Sequence, residues 1–542
     1  MQSTPPNPPD KEGPFLPWLE TQGHPGPTSL ITSITVCVVC IAILFTYLSP
    51  LRLFGYRIVF ANPAPQVIPS LREWSGGSGS FALMGTSRIV IDAAYQTQLM
   101  DTARVFQSDL FDVVGHSLPV VTSGSPGSGD FFLTLTTSDD RIGNEGYLFN
   151  VGNRVTISAR TSTGIFYGTR TALQILQEDP ARSSIPRGKA RDYPEYQERG
   201  FMLDVGRKFF SLGFLEDEVR FMAWYKMNDF HLHLNDNEVG AGSSPDWMHK
   251  YAAFRLNSGR FPGLASNDGS YTEQDIRSLE QVASQYAVTI TPEIDAPAHA
   301  LAFAQYRPNL TNQKYPRDIL DLNNPDTYTF LNALWSEFLP WFDTTQVDIG
   351  VDECVPEEAN ECLQFINTYD AFMKQRGKTV RMWGSLTKLK GNTRVNTDIV
   401  LDVWDNKWAN PVDMVKQGFH IINANDNLLY IVPRAGYFHD YLDTRLLYER
   451  WEPYIFDFSN PGMNLQPGDP HLLGGMFAEW NDKLGSVVSD ADVQQRVKPA
   501  MQTLGEKLWS GTTTAMTYEQ FCQVAQQIGQ APGTQLPEFQ TA

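Results

Sequence analysis

The stretch Asp229–Asp236 reads DFHLHLND, an apolar run with the alternation of a strand that stops abruptly in an amide and a carboxylate. Seven other stretches share that grammar: RGFMLDVGR from Arg199, AVTITPEIDAPAH from Ala287, QVDIGVDE from Gln346, TVRMWGS from Thr379, DIVLDVWD from Asp398, GFHIINAND from Gly418 and LLGGMFAEWND from Leu472. Each leads into a longer segment of helical character, so eight units of strand, polar end and helix recur over about 300 residues, which is what a (β/α)8 barrel requires. Reactive groups in such a barrel sit where the strands end, at the C-terminal face.

The eight endings place carboxylates and indoles around one rim. They supply Asp204 and Arg207, then His231, His233 and Asp236, then Glu293, Asp295 and His299, then Asp352 and Glu353, followed by Trp383, Trp404, Asn425, Asp426, Trp480 and Asp482. A sugar has apolar CH faces and hydroxyl edges, so tryptophan walls with Asp and Arg at their edges form the pocket a sugar ring needs. The HLH of the second strand puts His231 and His233 on one face, as a metal-dependent hydrolase would. Strands five and six end in Trp383 and Trp404 where such a site needs more ligands, so no metal or cofactor is expected and His231 reads as a core histidine.

Asp352 and Glu353 are adjacent, and neighbouring strand residues normally face opposite sides, so the pair cannot easily flank one glycosidic bond unless the strand ends or bulges there. The adjacency suggests one acid/base and one carboxylate that positions a nucleophile the substrate itself carries, a 2-acetamido oxygen.

Outward from the barrel, residues 62–190 carry turn-rich SGGSGS and SGSPGSGD between the strand-like RIVID, FFLTLTT and RVTISA, then a helical STGIFYGTRTALQILQE. This is a small α+β domain. The Pro/Arg-rich SSIPRGKARDYPEYQERG reads as a join to the barrel, taken as residues 198–511, with 512–542 as a C-terminal segment. Residues 1–29 form a Pro-rich tail ahead of LITSITVCVVCIAILFTYL, Leu30–Leu48, long enough to cross a bilayer and read as an uncleaved N-terminal transmembrane helix. Arg52 and Arg57 after the span, against Lys11 before it, point the barrel to the cytosol by the positive-inside rule.

With 542 residues and 42% hydrophobic content the chain is folded and has more than one domain, and a net charge of −19 excludes nucleic acid as a partner. Of five cysteines, Cys37 and Cys40 lie in the span and Cys522 near the C-terminus, leaving Cys354 and Cys362 as a pair that sequence alone does not decide. One sequon, Asn309-Leu310-Thr311, permits glycosylation of a lumenal domain.

RGFMLDVGRKFF, KMNDFHLHLND, PEIDAPAH, DIGVDE and GGMFAEWND, in this order and spacing, resemble the family 20 glycoside hydrolases, the β-N-acetylhexosaminidases. EGYLFNVGNRVTISARTSTGIFYGTRTALQIL resembles the end of the small domain that precedes the barrel in that family, and the resemblance covers roughly Asn62 to Gly511. It implies Glu353 as general acid/base and Asp352 as the residue that orients the acetamido nitrogen and stabilises an oxazolinium-like intermediate. It further implies Tyr430, in NDNLLYIVP, as donor to the acetamido oxygen, Trp383, Trp404 and Trp480 as the box around its methyl group, and Arg207 with Asp482 on the ring hydroxyls. Asp236 and His299 become a relay behind Glu353 that tunes its pKa toward the working pH.

The expected function is therefore exo-acting removal of terminal β-linked N-acetylglucosamine or N-acetylgalactosamine from a glycan or chitooligosaccharide. Such substrates place the barrel in the lumen or outside the cell, against the arginines after the span. A homodimer is compatible with the family, although no interface signal is present. The sequence departs from the family's usual His-x-Gly-Gly-Asp-Glu by carrying Asp348 and Val351, from Pro-Gly-His by Ala298 and from Asp-Asp by Asp236-Asn237. On these departures rests the alternative, a glycan-binding protein of the same fold that has lost turnover.

Overall fold

The chain leaves its first sheet and enters a barrel without a free linker. In the computed structural model the described residues are 60–311, 313–483, 488–512 and 516–536. The expected membrane span, Leu30–Leu48, lies outside them, and among the described residues no helix is long and apolar enough to cross a membrane.

Seven strands, β1 (Glu73–Ala82), β2 (Ile89–Ile91), β3 (Val120–Val121), β4 (Phe131–Thr134), β5 (Tyr147–Val151), β6 (Val155–Ala159) and β7 (Ser184–Asp192), form one sheet in the order β1-β7-β5-β6-β4-β2-β3. Two helices, Gln96–Val114 and Ser162–Glu178, pack on it and on each other. The second starts at Thr161, whose side chain accepts the Gly164 N–H as an N-cap, and its apolar residues fill the core with Phe106 and Phe131, whose rings meet edge to face at 5.1 Å.

Two readings are corrected here. SGGSGS is not a turn but the middle of β1, and the supposed join begins as β7, so the small domain runs to Asp192. The glycines of β1 answer a close approach: a Cβ on Gly76 would lie 2.0 Å from the Asn62 carbonyl oxygen. The β1–β7 register slips between Gly76 and Ser80, opposite Gly188 and Pro186, and this irregularity lets an inner strand hold a proline with no N–H to give.

The barrel strands are β8 (Glu198–Asp204), β9 (Asp229–His233), β12 (Thr289–Ala296), β13 (Gln346–Gly350), β14 (Thr379–Trp383), β15 (Val400–Val403), β16 (His420–Asn423) and β18 (Leu472–Glu479). All pair in parallel, and β18 meets β8 on one side and β16 on the other, closing the ring. Each comes from one of the eight stretches read as a strand. Three short strands decorate the C-terminal rim: β10 (Asn235–Asn237) and β11 (Ala252–Phe254) pair antiparallel, and β17 (Tyr430–Ile431) lies along β18.

Polar groups, not only apolar ones, fill the barrel. Arg381, fully buried on β14, bonds Asp229 of β9 at 2.5 Å and Asp402 of β15 at 2.7 Å. Below the ring, the small domain meets the barrel through buried polar contacts. Lys226 Nζ bonds Asp192 at 2.8 Å, Arg199 bonds Glu145 at 2.9 Å, and Trp509 Nε1 donates to Asp192 at 3.0 Å. Gln174 donates to the carbonyls of Ile68 and Trp224 at 2.7 and 2.9 Å. In the C-terminal segment, the helix Tyr518–Ile528 buries Phe521, Val524 and Ile528 in the main core.

Candidate active site

β13 ends at Gly350, so Asp352 and Glu353 stand beyond it and are freed from the alternation of a strand. Three left-handed residues turn the chain there, Gly350 (φ +75°), Val351 (φ +76°) and Glu353 (φ +52°). Gly350 is required twice over, by its φ and because a Cβ would lie 1.8 Å from Asp295 Oδ1. Val351 is a β-branched residue in a region such residues rarely adopt. It is held there by burial, by its N–H to Asp295 Oδ1 at 3.2 Å, and by Ser385 Oγ donating to its carbonyl at 2.8 Å.

This turn brings both carboxylates to one imidazole. His299 Nε2 lies 3.4 Å from Asp352 Oδ2 and 3.5 Å from Glu353 Oε2, while its Nδ1 contacts Asp236 Oδ1 at 3.0 Å. Asp236 Oδ2 in turn meets Arg207 Nη1 at 2.7 Å and His233 Nε2 at 2.9 Å. Arg207 is also held by Asp204 at 3.0 Å and by the Asn237 carbonyl at 2.9 Å, and Asp482 stands 3.5 Å away.

The electrostatics follow from this chain of contacts. Burial alone would raise Asp236, yet Arg207, His299 and His233 together hold its carboxyl well below the usual range. Burial would lower His299, yet Asp236 and Asp352 outweigh it and push the imidazole well above its ordinary value. The interaction with His299 lowers Glu353, whose side chain is 58% exposed. In the unliganded site these two shifts favour the proton on His299 and the anionic form of Glu353. Asp352 is raised, by burial and by the nearby carboxylates of Glu293 and Glu353.

On the other side of the pocket the aromatic residues form one cluster. Trp383 and Trp480 lie 5.7 Å apart, and Tyr430 is 6.4 Å from the first and 5.6 Å from the second. Tyr430 sits at the start of β17, paired with Ala478 of β18, and burial keeps its hydroxyl protonated far above the ordinary phenol range. Trp404 packs on this cluster and stacks on Trp408 at 5.9 Å. The buried indole N–H groups of Trp404 and Trp480 have no hydrogen-bond partner among the described residues.

Four groups have roles that sequence reading did not assign. Glu293, buried, gathers His231 Nε2, His233 Nδ1 and the Trp383 indole N–H, each at 2.8 Å, and so fixes the pocket floor. Asp295 is buried and raised far above its ordinary range, by burial first and Asp352 second. Asp348 does not join the dyad: it points into the barrel below it, caps the Gly350 N–H at 2.7 Å, and is raised by burial, Glu293 and Asp402. Tyr437, exposed on the rim, donates to Asp482 at 2.6 Å. Of these, Glu293 and Asp295 carried a signal in their place at a strand end and Asp348 in its departure from the family's pattern, whereas Tyr437 carried none.

Three groups of buried or half-buried ligand-type side chains come close enough to hold a cation: His231 with Asp348 and Asp402, His233 with Glu293 and Asp295, and Asp295 with His299 and Asp352. In the first, Asp402 is held by Arg381, and in the second, Glu293 is held by two imidazoles and an indole.

A closed barrel whose C-terminal rim joins an acidic pair, an imidazole relay and an aromatic box defines a (β/α)8 glycoside hydrolase. The pattern of the glycosyl hydrolase family 20 catalytic domain matches residues 196–512, and that of the family's domain 2 matches residues 64–193. The chain belongs to glycosyl hydrolase family 20. Among curated relatives, it is 23% identical to a lacto-N-biosidase of Bifidobacterium bifidum over 84% of this chain and 40% of that protein. It is 24% identical to a β-N-acetylhexosaminidase of Cellulomonas fimi over 82% of this chain and 89% of that one. The chain spans 40% of the B. bifidum protein and 40% of a β-hexosaminidase of Porphyromonas gingivalis. Among solved structures, the family 20 β-N-acetylhexosaminidase of Streptomyces coelicolor superposes with a TM-score of 0.71 at 22% identity, covering 88% of this chain and 97% of that one. The Flavobacterium johnsoniae chitobiase follows the same fold with a TM-score of 0.67 at 22% identity, covering 85% and 72%.

Proposed function

We propose that the protein is an exo-acting β-N-acetylhexosaminidase that removes terminal N-acetylglucosamine or N-acetylgalactosamine with retention, using the substrate's own acetamido oxygen as nucleophile. The observation that carries this reading is the convergence of Asp352 and Glu353 on His299 across from the cluster of Trp383, Tyr430 and Trp480. The sugar ring lies on Trp480, with its far hydroxyls on Arg207 and Asp482. The acetamido group enters the box, its oxygen accepting from Tyr430 and its N–H donating to Asp352.

Substrate binding displaces water from the half-exposed Glu353, and the loss of water favours its neutral form. The proton held by His299 then passes to Glu353, which delivers it to the leaving oxygen as the acetamido oxygen attacks the anomeric carbon. Asp352 offsets the charge that develops on the acetamido nitrogen. Glu353, once more an anion, takes a proton from the water that opens the intermediate.

The test is hydrolysis of a chromogenic β-N-acetylglucosaminide by the wild type, Glu353→Gln and Asp352→Asn, beside the matching glucoside that lacks the amide. Turnover by the wild type alone, with the glucoside left intact and activity insensitive to EDTA, is the expected result. Equal cleavage of the glucoside, or a covalent glycosyl adduct on a side chain, refutes the mechanism, and binding without turnover marks a glycan-binding protein.

We further propose that Leu30–Leu48 anchors the chain with the barrel lumenal or extracellular. Support comes from the Cys354–Cys362 disulfide, which an oxidising compartment permits, and from the exposure of Asn309 within its sequon. A mobility shift on deglycosylation, abolished in Asn309→Gln, tests this placement.

A further inference from the structure

Glu353 owes its aim to the main chain. Its side chain is more than half exposed, and its ion-pair contact is with His299 at 3.5 Å. Its φ of +52°, following +76° at Val351, is a conformation that side-chain-bearing residues leave when nothing holds them. Upstream the holds are visible in Ser385, Asp295 and the buried Val351 side chain. Immediately downstream the anchor is covalent: Cys354, fully buried, is bonded to Cys362, 1% exposed, in the first turn of the helix Ala359–Lys374.

We propose that the Cys354–Cys362 disulfide is a positioning element for the acid, holding Glu353 in its left-handed state so that the carboxyl faces His299 and the aromatic box. The inference rests on the hydrolase reading above. Without the bridge, the two residues on either side of Cys354 are free to let Glu353 return to right-handed backbone, and its side chain then swings toward solvent. A displacement of about 1 Å at a catalytic group costs on the order of a hundredfold in rate. Because both half-cystines are buried, the lock persists in the folded protein once it has formed.

The experiment compares wild type with Cys354→Ser/Cys362→Ser and with Cys354→Ala/Cys362→Val, the second keeping the site apolar. Rates are measured on a chitooligosaccharide well below each variant's melting temperature. The expected result is a kcat lower by about a hundredfold with KM within about threefold, together with a basic limb of kcat/KM that moves to lower pH, because Glu353 has left the imidazolium that supplies its proton. A bridge that served stability alone would lower the melting temperature and leave kcat and the basic limb in place, and that result overturns the proposal. If neither variant folds, the single variant Cys362→Ala, which breaks the bridge and leaves Cys354 in its buried place, takes their place, with the same two outcomes. Absence of any wild-type turnover refutes the hydrolase reading itself. Independently of turnover, a crystal structure of the Ala/Val variant in which Glu353 keeps a positive φ overturns the positioning role, and one in which it has rotated supports it.

Discussion

His299→Gln separates the two halves of the proton relay. In the wild type the Glu353–His299 pair holds one proton up to the raised pKa of His299, which lies above its ordinary 6.5. In the variant only Glu353 can hold it, and with the lowering interaction gone its carboxyl returns toward 4.5. The basic limb of kcat/KM therefore falls from above 6.5 toward the carboxylate range, by about 2 pH units. Each unit beyond a limb costs tenfold, so activity at neutral pH falls by about a hundredfold or more, while at the acid end variant and wild type converge. The assay is the pH profile of kcat/KM on a chitooligosaccharide, whose alcohol leaving group needs the proton, beside an aryl glycoside whose acidic leaving group does not. The aryl substrate loses less. A basic limb that stays within half a unit of the wild type refutes the assignment of the resting proton to His299.

Three other outcomes follow from the same geometry. Asp295, Asp348 and Glu479 are buried and raised above their unfolded values, so each adds stability that is complete below about pH 4 and is lost as pH rises, at about 1.4 kcal/mol per pH unit and group. Asp236 and Glu293 are lowered and act oppositely, losing their contribution below the ordinary carboxylate range. Thermal unfolding across pH is thus expected to show a mildly acidic maximum, and a melting temperature that climbs steadily to about pH 8 would contradict these protonation states. Glu218→Met is expected to stabilise by about 1–3 kcal/mol in urea unfolding, because both carboxyl oxygens are buried without a partner among the described residues. Arg207→Lys gives up a guanidinium that reaches Asp204, Asp236 and the Asn237 carbonyl together, and an increase in KM of about tenfold is expected in steady-state kinetics.

The barrel was legible because each strand announces itself twice, by an apolar run and by the polar residues at its end. The same signal gave the rim residues, including Arg207, His299 and Asp482, which the structure brings into one chain of contacts. Weaker signals failed for physical reasons. Ser75–Ser80 looked like a turn because glycine and serine favour turns, whereas the need was room for the Asn62 carbonyl. Asp348 stood out only as a departure from the family's motif, because sequence does not reveal that β13 ends two residues before Asp352 and leaves Asp348 below, in the barrel. The direction of the Glu353 shift was beyond sequence for another reason: it depends on which of two neighbouring groups keeps the proton, and that is set by the burial of His299 against Asp236 and Asp352.

The buried seam beneath the barrel decides how this polypeptide can be divided. Excision of everything before residue 193 would take Asp192 and Glu145 away from Lys226 and Arg199 and open to water the barrel face that the small domain covers, Trp509 included. A recombinant catalytic half would then be an unstable fragment, not a minimal enzyme. Grafting the barrel onto another scaffold would require carrying those two carboxylates with it, because the boundary that is plain in the primary structure is not a line along which the folded molecule comes apart.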